Sequence, residues 1–318
     1  MIVLMHNSKG LSYLDDEKPR IIIFCGKGGV GKTTCATATA FHFAKNGLKT
    51  LIISTDPTPS LSDIFEVNVK GKITQIIDIE NLKAIELDYN LIIERWKEKF
   101  GNEVYSVISS FLPIDKEIID YIANAPGIDE EFSLSYVLDL YEKESYDVIV
   151  WDTAPAGGTL SLIKLQDKFY KHLRDAARLY MRVRHALDIL SKGKREDPLR
   201  VIKTWEELTQ RVFNMLKNEK THAIIVTIPE ALGVYQTKRL IGEFKAFGIH
   251  ISRILINYVI TEDICNCKFH MERANMQRNY IRILDEQYGK DIGLALLPQL
   301  SREIKGIEAL KKVESLLF

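Results

Sequence analysis

Near the start of the chain, Gly26-Lys27-Gly28-Gly29-Val30-Gly31-Lys32-Thr33-Thr34 fits the spacing GxxxxGK[ST]. Each residue type suits the grip of a nucleoside triphosphate. Glycines let the backbone fold around phosphate with its N–H groups turned inward, and a helix starting at the lysine adds positive potential. Lys32 is placed to reach the β and γ phosphates, and Thr33 to put its hydroxyl on Mg²⁺. A glycine turn that merely carries a lysine would not need a strand before it and a helix after it. Both are present: apolar Ile21 to Cys25 precedes the loop and helix-forming Cys35 to Lys45 follows.

Such chemistry also needs carboxylates at the ends of neighbouring strands, to support the metal ion and orient the attacking water. Two segments supply them. Leu51-Ile52-Ile53-Ser54-Thr55-Asp56-Pro57 ends an apolar run at Asp56, and Val148-Ile149-Val150-Trp151-Asp152-Thr153-Ala154-Pro155 ends another at Asp152. An Asp before Pro or Thr also opens turns and caps helices. Two strand-end aspartates beside a phosphate loop favour the catalytic reading.

The elements that must position these residues are legible as further short apolar runs rich in Ile and Val, at residues 82–87, 222–227 and 253–258, with a weaker one at 292–297. Runs apolar throughout, separated by helical stretches, read as strands buried on both faces of a parallel sheet. The fold class expected is α/β, a doubly wound and mostly parallel sheet of the P-loop NTPase type. Two intervals, residues 89–143 and 160–220, are far longer than a crossover requires and read as an inserted helical subdomain. Residues 20–318 then form the P-loop domain, and residues 1–19 a short extension, mobile up to Pro19.

Composition narrows the class. Hydrophobic residues at 46% and charged residues at 27% describe an ordinary globular chain. The 43 basic and 43 acidic residues cancel, which removes any global electrostatic case for nucleic acid. No apolar run approaches the ~20 residues of a membrane helix. The four cysteines, at 25, 35, 265 and 267, are too few and too unevenly placed for a disulfide framework, so a cytoplasmic location is expected.

The phosphate loop, Ser54-Thr55-Asp56-Pro57 with Leu61-Ser62-Asp63, Pro126-Gly127-Ile128-Asp129-Glu130, Asp152-Thr153-Ala154-Pro155, Pro229-Glu230 with Tyr235, Met276-Gln277, and Pro298 with Glu303-Ile304-Lys305-Gly306 occur in this order along the chain. Together they resemble the family of arsenite-pump ATPases and tail-anchored-protein targeting ATPases. By that resemblance Lys27 is the signature lysine of a deviant Walker A loop, reaching phosphates bound by the opposite subunit of a homodimer. Asp56 orients or activates water, Asp152 supports Mg²⁺ through its waters, Asn257 hydrogen-bonds adenine, and the loop around Pro298 packs on the base. The sequence departs from the family at Thr58-Pro59-Ser60 and at Ala156-Gly157-Gly158, where polar residues that sense the partner or the nucleotide are usual.

Within the family, pump ATPases fuse two halves and take the metalloid on thiolates. One phosphate loop, with Cys25 and Cys35 beside it, fits the single-half targeting branch better. That branch implies ATP and Mg²⁺ as cofactors, an apolar client helix and a membrane-bound receptor. It also implies a zinc ion shared across the dimer. Counting back from Met276-Gln277 puts its ligands at Cys267 and His270, with Cys265 as the alternative in Cys265-Asn266-Cys267. Residues 164–182 carry a stripe of Lys and Arg along an amphipathic helix, either a solvated face or a dock for anionic lipid or an acidic partner. An arsenite-pump subunit, an ATP-gated chaperone and a partitioning-type positioning ATPase remain the alternative functions.

Overall fold

The computed structural model describes residues 10–56, 60–111, 115–124, 128–153, 198–261 and 267–318. Apolar runs become strands wherever the sequence places them. β1 (Ile21–Gly26), β2 (Thr50–Ser54), β4 (Leu82–Glu86), β5 (Val148–Asp152), β6 (Thr221–Thr227), β7 (Ile251–Val259) and β8 (Leu294–Pro298) are all parallel to one another. A short antiparallel strand, β3 (Thr74–Gln75), closes one edge, giving the order β3-β4-β2-β5-β1-β6-β7-β8. β1, β2, β5 and β6 are buried along their whole length, which is why these runs do not alternate.

Helices alternate with these strands along the chain. α1 (Tyr13–Glu17) precedes β1, α2 (Lys32–Lys45) follows the phosphate loop, and α3 (Leu61–Phe65) follows the Asp56 segment. Later come α4 (Tyr89–Trp96), a single π-helical turn at Lys97–Gly101, α5 (Asn102–Phe111), α6 (Ile118–Ala123), α7 (Ile128–Glu142) and α8 (Pro198–Leu216). The C-terminal part adds α9 (Ala231–Phe247), α10 (Lys268–Tyr288) and α11 (Gly306–Leu317). The chain forms two compact units. The sheet unit holds all eight strands, and the other holds Asp88–Asp139 together with the described residues up to Met215. Inside this second unit Asp88 caps α4 through the amides of Asn90 and Leu91, Ile92, Ile93 and Trp96 are buried, and Lys99 bonds Ser135 and Asp139.

One expectation is corrected. Residues 10–18 do not form a mobile extension but pack into the core: Leu11 and Leu14 are fully buried, and the Tyr13 hydroxyl donates to Ser252 Oγ at 2.8 Å. The Leu11 amide donates to the Leu317 carbonyl at 2.8 Å and the Ser12 hydroxyl to that of Phe318 at 3.0 Å. A five-residue helix shows no periodicity, and its partners lie at the far end of the sequence. Local reading could not see them.

Candidate functional site

The phosphate loop sits where the topology demands, at the carboxyl end of central β1 and running into α2. Lys27, Gly28 and Gly29 are exposed, whereas Lys32 is only 4% exposed and its Nζ donates to the Lys27 carbonyl at 3.3 Å. The lysine ammonium is thus turned back into the loop, where β and γ phosphates would lie. Gly31 is required by geometry: its φ of 89° is left-handed, and a Cβ there would collide with the Asn257 amide.

Of the two strand-end aspartates, Asp152 lies beside this loop. β5 lies between β1 and β2, with Asp152 in register with Phe24 on one side and Ser54 on the other. Thr33 Oγ1 and Ser54 Oγ donate to Asp152 Oδ2 at 2.7 and 3.1 Å. Asp152 Oδ1 is buried with no hydrogen-bond partner. Burial pushes the Asp152 carboxyl up to about 6, with Asp56 adding to the rise and the Thr33 bond, the Lys32 charge and the Ser54 bond opposing it. A fully buried carboxylate with one idle oxygen, beside the hydroxyl of Thr33, suits a divalent cation or its water. Thr33 and Asp152 are therefore the residues that would hold Mg²⁺, whose chemistry there is neutralisation of phosphate charge.

Asp56 is half-buried on the segment leaving β2, and its amide donates to Ser54 Oγ at 3.3 Å. Trp151, itself buried, steadies the same segment by donating to Thr55 Oγ1 at 3.2 Å. Burial pushes both Cys25 and Cys35 up to about 12, so they are protonated packing groups that supply no thiolate.

Asn257, 3% exposed near the end of β7, is tied to the loop: its Nδ2 donates to the Val30 carbonyl at 2.9 Å while its Oδ1 accepts the Tyr258 amide at 2.8 Å. One N–H and one lone pair of its side-chain amide remain for a base. Tyr258 has a φ of 58°, and buried Gln277 holds this turn by donating to the Tyr258 carbonyl and accepting the Ile260 amide. Pro298 ends β8 opposite Val259, half-buried.

Cys267 and His270 meet at the start of α10, with Sγ and Nδ1 2.8 Å apart. That is hydrogen-bond distance. Two ligands of one tetrahedral zinc, at about 2.3 and 2.0 Å from the metal, lie about 3.6 Å apart. The donors suit zinc chemically, but the pair would have to open to admit it. Among the described residues no three His, Cys, Asp or Glu side chains form a metal cluster. Cys265, the basic stripe at 164–182, the altered segment at 156–158, and Thr58 and Pro59 of the other altered segment lie outside the described residues, whereas Ser60 is described.

Sequence reasoning missed Glu86, and it quoted Ser54 and Gln277 in motifs without reading the bond of Ser54 to Asp152 or the fastening role of Gln277. Glu86 ends β4, a strand that also carries exposed Lys83, and is buried, with its carboxylate against the start of α3. Gln277 stood in a recognised motif, yet only the turn at Tyr258 explains it.

Comparison with known proteins agrees with this geometry. The family model for anion-transporting ATPases matches residues 19–318. The chain is 34% identical to ATPase ASNA1 homolog 1 of Paramecium tetraurelia, over 96% of this chain and 94% of that protein. It is 30% identical to putative arsenical pump-driving ATPase 2 of Aquifex aeolicus (strain VF5), over 94% and 99% of the respective lengths. It is 31% identical to ATPase GET3 of Komagataella phaffii (strain GS115 / ATCC 20864), over 96% and 92%. A phosphate loop, a buried Asp152 bonded to Thr33, and likeness along nearly the whole length lead to one conclusion: this chain is a P-loop ATPase belonging to the anion-transporting ATPase family.

Proposed function

We propose that the protein is an ATP-hydrolysing homodimeric switch that binds and delivers an apolar client, of the class formed by tail-anchored membrane proteins, to a receptor at the membrane. The observation that carries this reading is the second compact unit, helical in its described residues, in addition to the unit that holds the sheet and the phosphate loop. Hydrolysis itself needs no such unit. Within it, Ile92, Ile93 and Trp96 are buried and form that unit's own interior, so a client would be met by other residues of the unit. Relatives named ATPase GET3 and ATPase ASNA1 match over nearly their whole length, which supports the same assignment.

Nucleotide and metal roles follow from the site. Lys32 and the loop amides hold the phosphates, Thr33 and Asp152 hold Mg²⁺, Asp56 orients the attacking water, and Asn257 with the loop at Pro298 receives the adenine. Lys27 is exposed rather than folded into its own loop, as suits a lysine serving a second copy of the chain. Cys267 and His270 would give half of a shared zinc site, completed by the partner. A metalloid pump subunit is disfavoured because Cys25 and Cys35 are buried thiols. No helix among the described residues is long and apolar enough to cross a membrane, in keeping with a factor working in the cytoplasm.

The test is capture. Purified protein is mixed with an aggregation-prone peptide bearing an apolar helix of ~20 residues, the length that spans a bilayer. ATP with the slow variant Asp56→Asn is expected to keep the peptide soluble. Equal protection without nucleotide, or none under any condition, contradicts delivery as the function.

A further inference from the structure

Asp56 is carried on a segment between two fixed ends, and the two ends are held by carboxylates on the two strands that flank β2. On the β5 side, Asp152 accepts Ser54 Oγ at 3.1 Å, and its backbone carbonyl accepts the Thr55 amide at 3.0 Å. On the β4 side stands Glu86, in register with Ser54 and 3% exposed. Its Oε1 accepts the backbone amides of Ser60 at 2.7 Å, Leu61 at 2.6 Å and Ser62 at 3.2 Å, and its Oε2 accepts the Ser62 hydroxyl at 2.6 Å. The Ser62 hydroxyl in turn accepts the Val69 amide at 3.2 Å. Glu86 is anchored through its own backbone, its amide donating to the Val69 carbonyl and its carbonyl accepting the Gly71 amide.

A buried carboxylate with this partner set does more than fill space. The first amides of a helix have no partner within the helix, and a carboxylate from another element satisfies them with charge-assisted bonds. Helix α3 supplies only its five residues and no side-chain cap of its own: Ser60, at the N-cap, makes no capping bond. Its start is therefore fixed by Glu86 and by burial of Leu61, Ile64 and Phe65. That start follows Asp56 by only four residues in the chain.

We infer that Glu86 is a positioning residue for the reaction: by clamping the amides of Ser60, Leu61 and Ser62 it sets the reach of the Asp56 segment toward the attacking water. The inference rests on the reading of Asp56 as the residue that orients water. Among the described residues Glu86 makes no hydrogen bond to the phosphate loop or to Asp152, so it acts on the rate of the chemical step and leaves nucleotide affinity alone. The side chain is also what distinguishes a fixed from a sliding return point. Gln at this position keeps one acceptor for the amides but loses the charge and turns its other end from acceptor to donor, facing the Ser62 hydroxyl.

The test compares Glu86→Gln, Ser62→Ala and Asp56→Asn, singly and as the Glu86→Gln/Asp56→Asn pair, in the full-length chain. Mg-ATP turnover, ATP affinity by calorimetry and thermal unfolding are read for each. Glu86→Gln is expected to lower kcat about 10- to 100-fold, the equivalent of one charge-assisted hydrogen bond, with ATP affinity within about threefold of wild type. Ser62→Ala, which removes only the Oε2 partner, shifts kcat the same way by less, and it decides the matter if Glu86→Gln does not fold. The paired variant should be no slower than Asp56→Asn alone, because Glu86 works through Asp56. Wild-type kcat in both Glu86→Gln and Ser62→Ala overturns the inference, as does a parallel loss of affinity and turnover. A multiplied defect in the pair overturns it too. If Asp56→Asn itself turns over at the wild-type rate, the Asp56 reading has failed, an outcome distinct from a slow Asp56→Asn beside a normal Glu86→Gln.

Discussion

Asp152 should be a liability to the empty protein, and replacing it by Asn should expose the cost. Its carboxyl is fully buried, one oxygen has no partner, and burial pushes it from the ordinary 3.8 up to about 6. Below the unfolded value both states are protonated and the group contributes nothing. Between the two values the folded chain keeps a proton that the unfolded chain has released, so stability falls as pH rises, and above about 6 the whole cost is present. A gap of roughly two pH units corresponds to about 3 kcal/mol at neutral pH. Asn cannot ionise and still offers an oxygen to Thr33 and Ser54, but it leaves an amide N–H buried where Oδ1 now lies, returning about 1–2 kcal/mol of that gain. Without nucleotide, Asp152→Asn should therefore be more stable than wild type by about 1–2 kcal/mol at pH 7.5, the difference shrinking as pH falls toward 4. Urea unfolding followed by the fluorescence of Trp151, buried next to Asp152 in the sequence, measures it. Adding Mg-ATP should stabilise wild type strongly and the variant weakly, reversing the order. A variant less stable than wild type at pH 7.5, or one with an unchanged pH profile, refutes the assignment of an uncompensated charge to this oxygen.

Three further outcomes follow. Gly31→Ala combines a left-handed φ with a clash on Asn257, and should abolish ATP binding by calorimetry while lowering stability by about 1–3 kcal/mol. Lys27→Ala should bind ATP but hydrolyse it slowly, and mixing it with Asp56→Asn subunits should give turnover different from either parent. Normal turnover by Lys27→Ala alone excludes a lysine acting across the dimer. Metal analysis of untagged protein should find half a zinc per chain, with dimer dissociation on chelation or in Cys267→Ser. A zinc-free stable dimer means that the Sγ–Nδ1 pair is simply a hydrogen bond.

The sheet was largely legible because its strands are buried on both faces, so β1, β2, β5 and β6 stand out as unbroken apolar runs. β3 was not, since two residues, one half-buried and one exposed, carry no pattern and owe their place to pairing with β4. α1 was hidden for a related reason: its helix is short, and Leu11 and Leu14 are buried, with the Leu11 amide bonded to Leu317 at the other end of the chain. At the site, Lys32, Thr33 and Asp152 could be read from motif spacing, because their chemistry depends on near neighbours in sequence. Glu86 and Gln277 could not. Each satisfies backbone groups of a segment distant in sequence, and only the tertiary fold shows which amides and carbonyls need a partner.

The most direct test of the site as an ATPase centre is phosphate release by Asp56→Asn, measured beside ATP affinity in the presence of Mg²⁺. Lys32, Thr33 and Asp152 are untouched by the substitution, so affinity should stay within a few-fold of wild type while turnover falls by about 100-fold or more. Turnover at the wild-type rate would contradict the role given to Asp56, and loss of ATP binding would contradict the separation of phosphate grip from water activation.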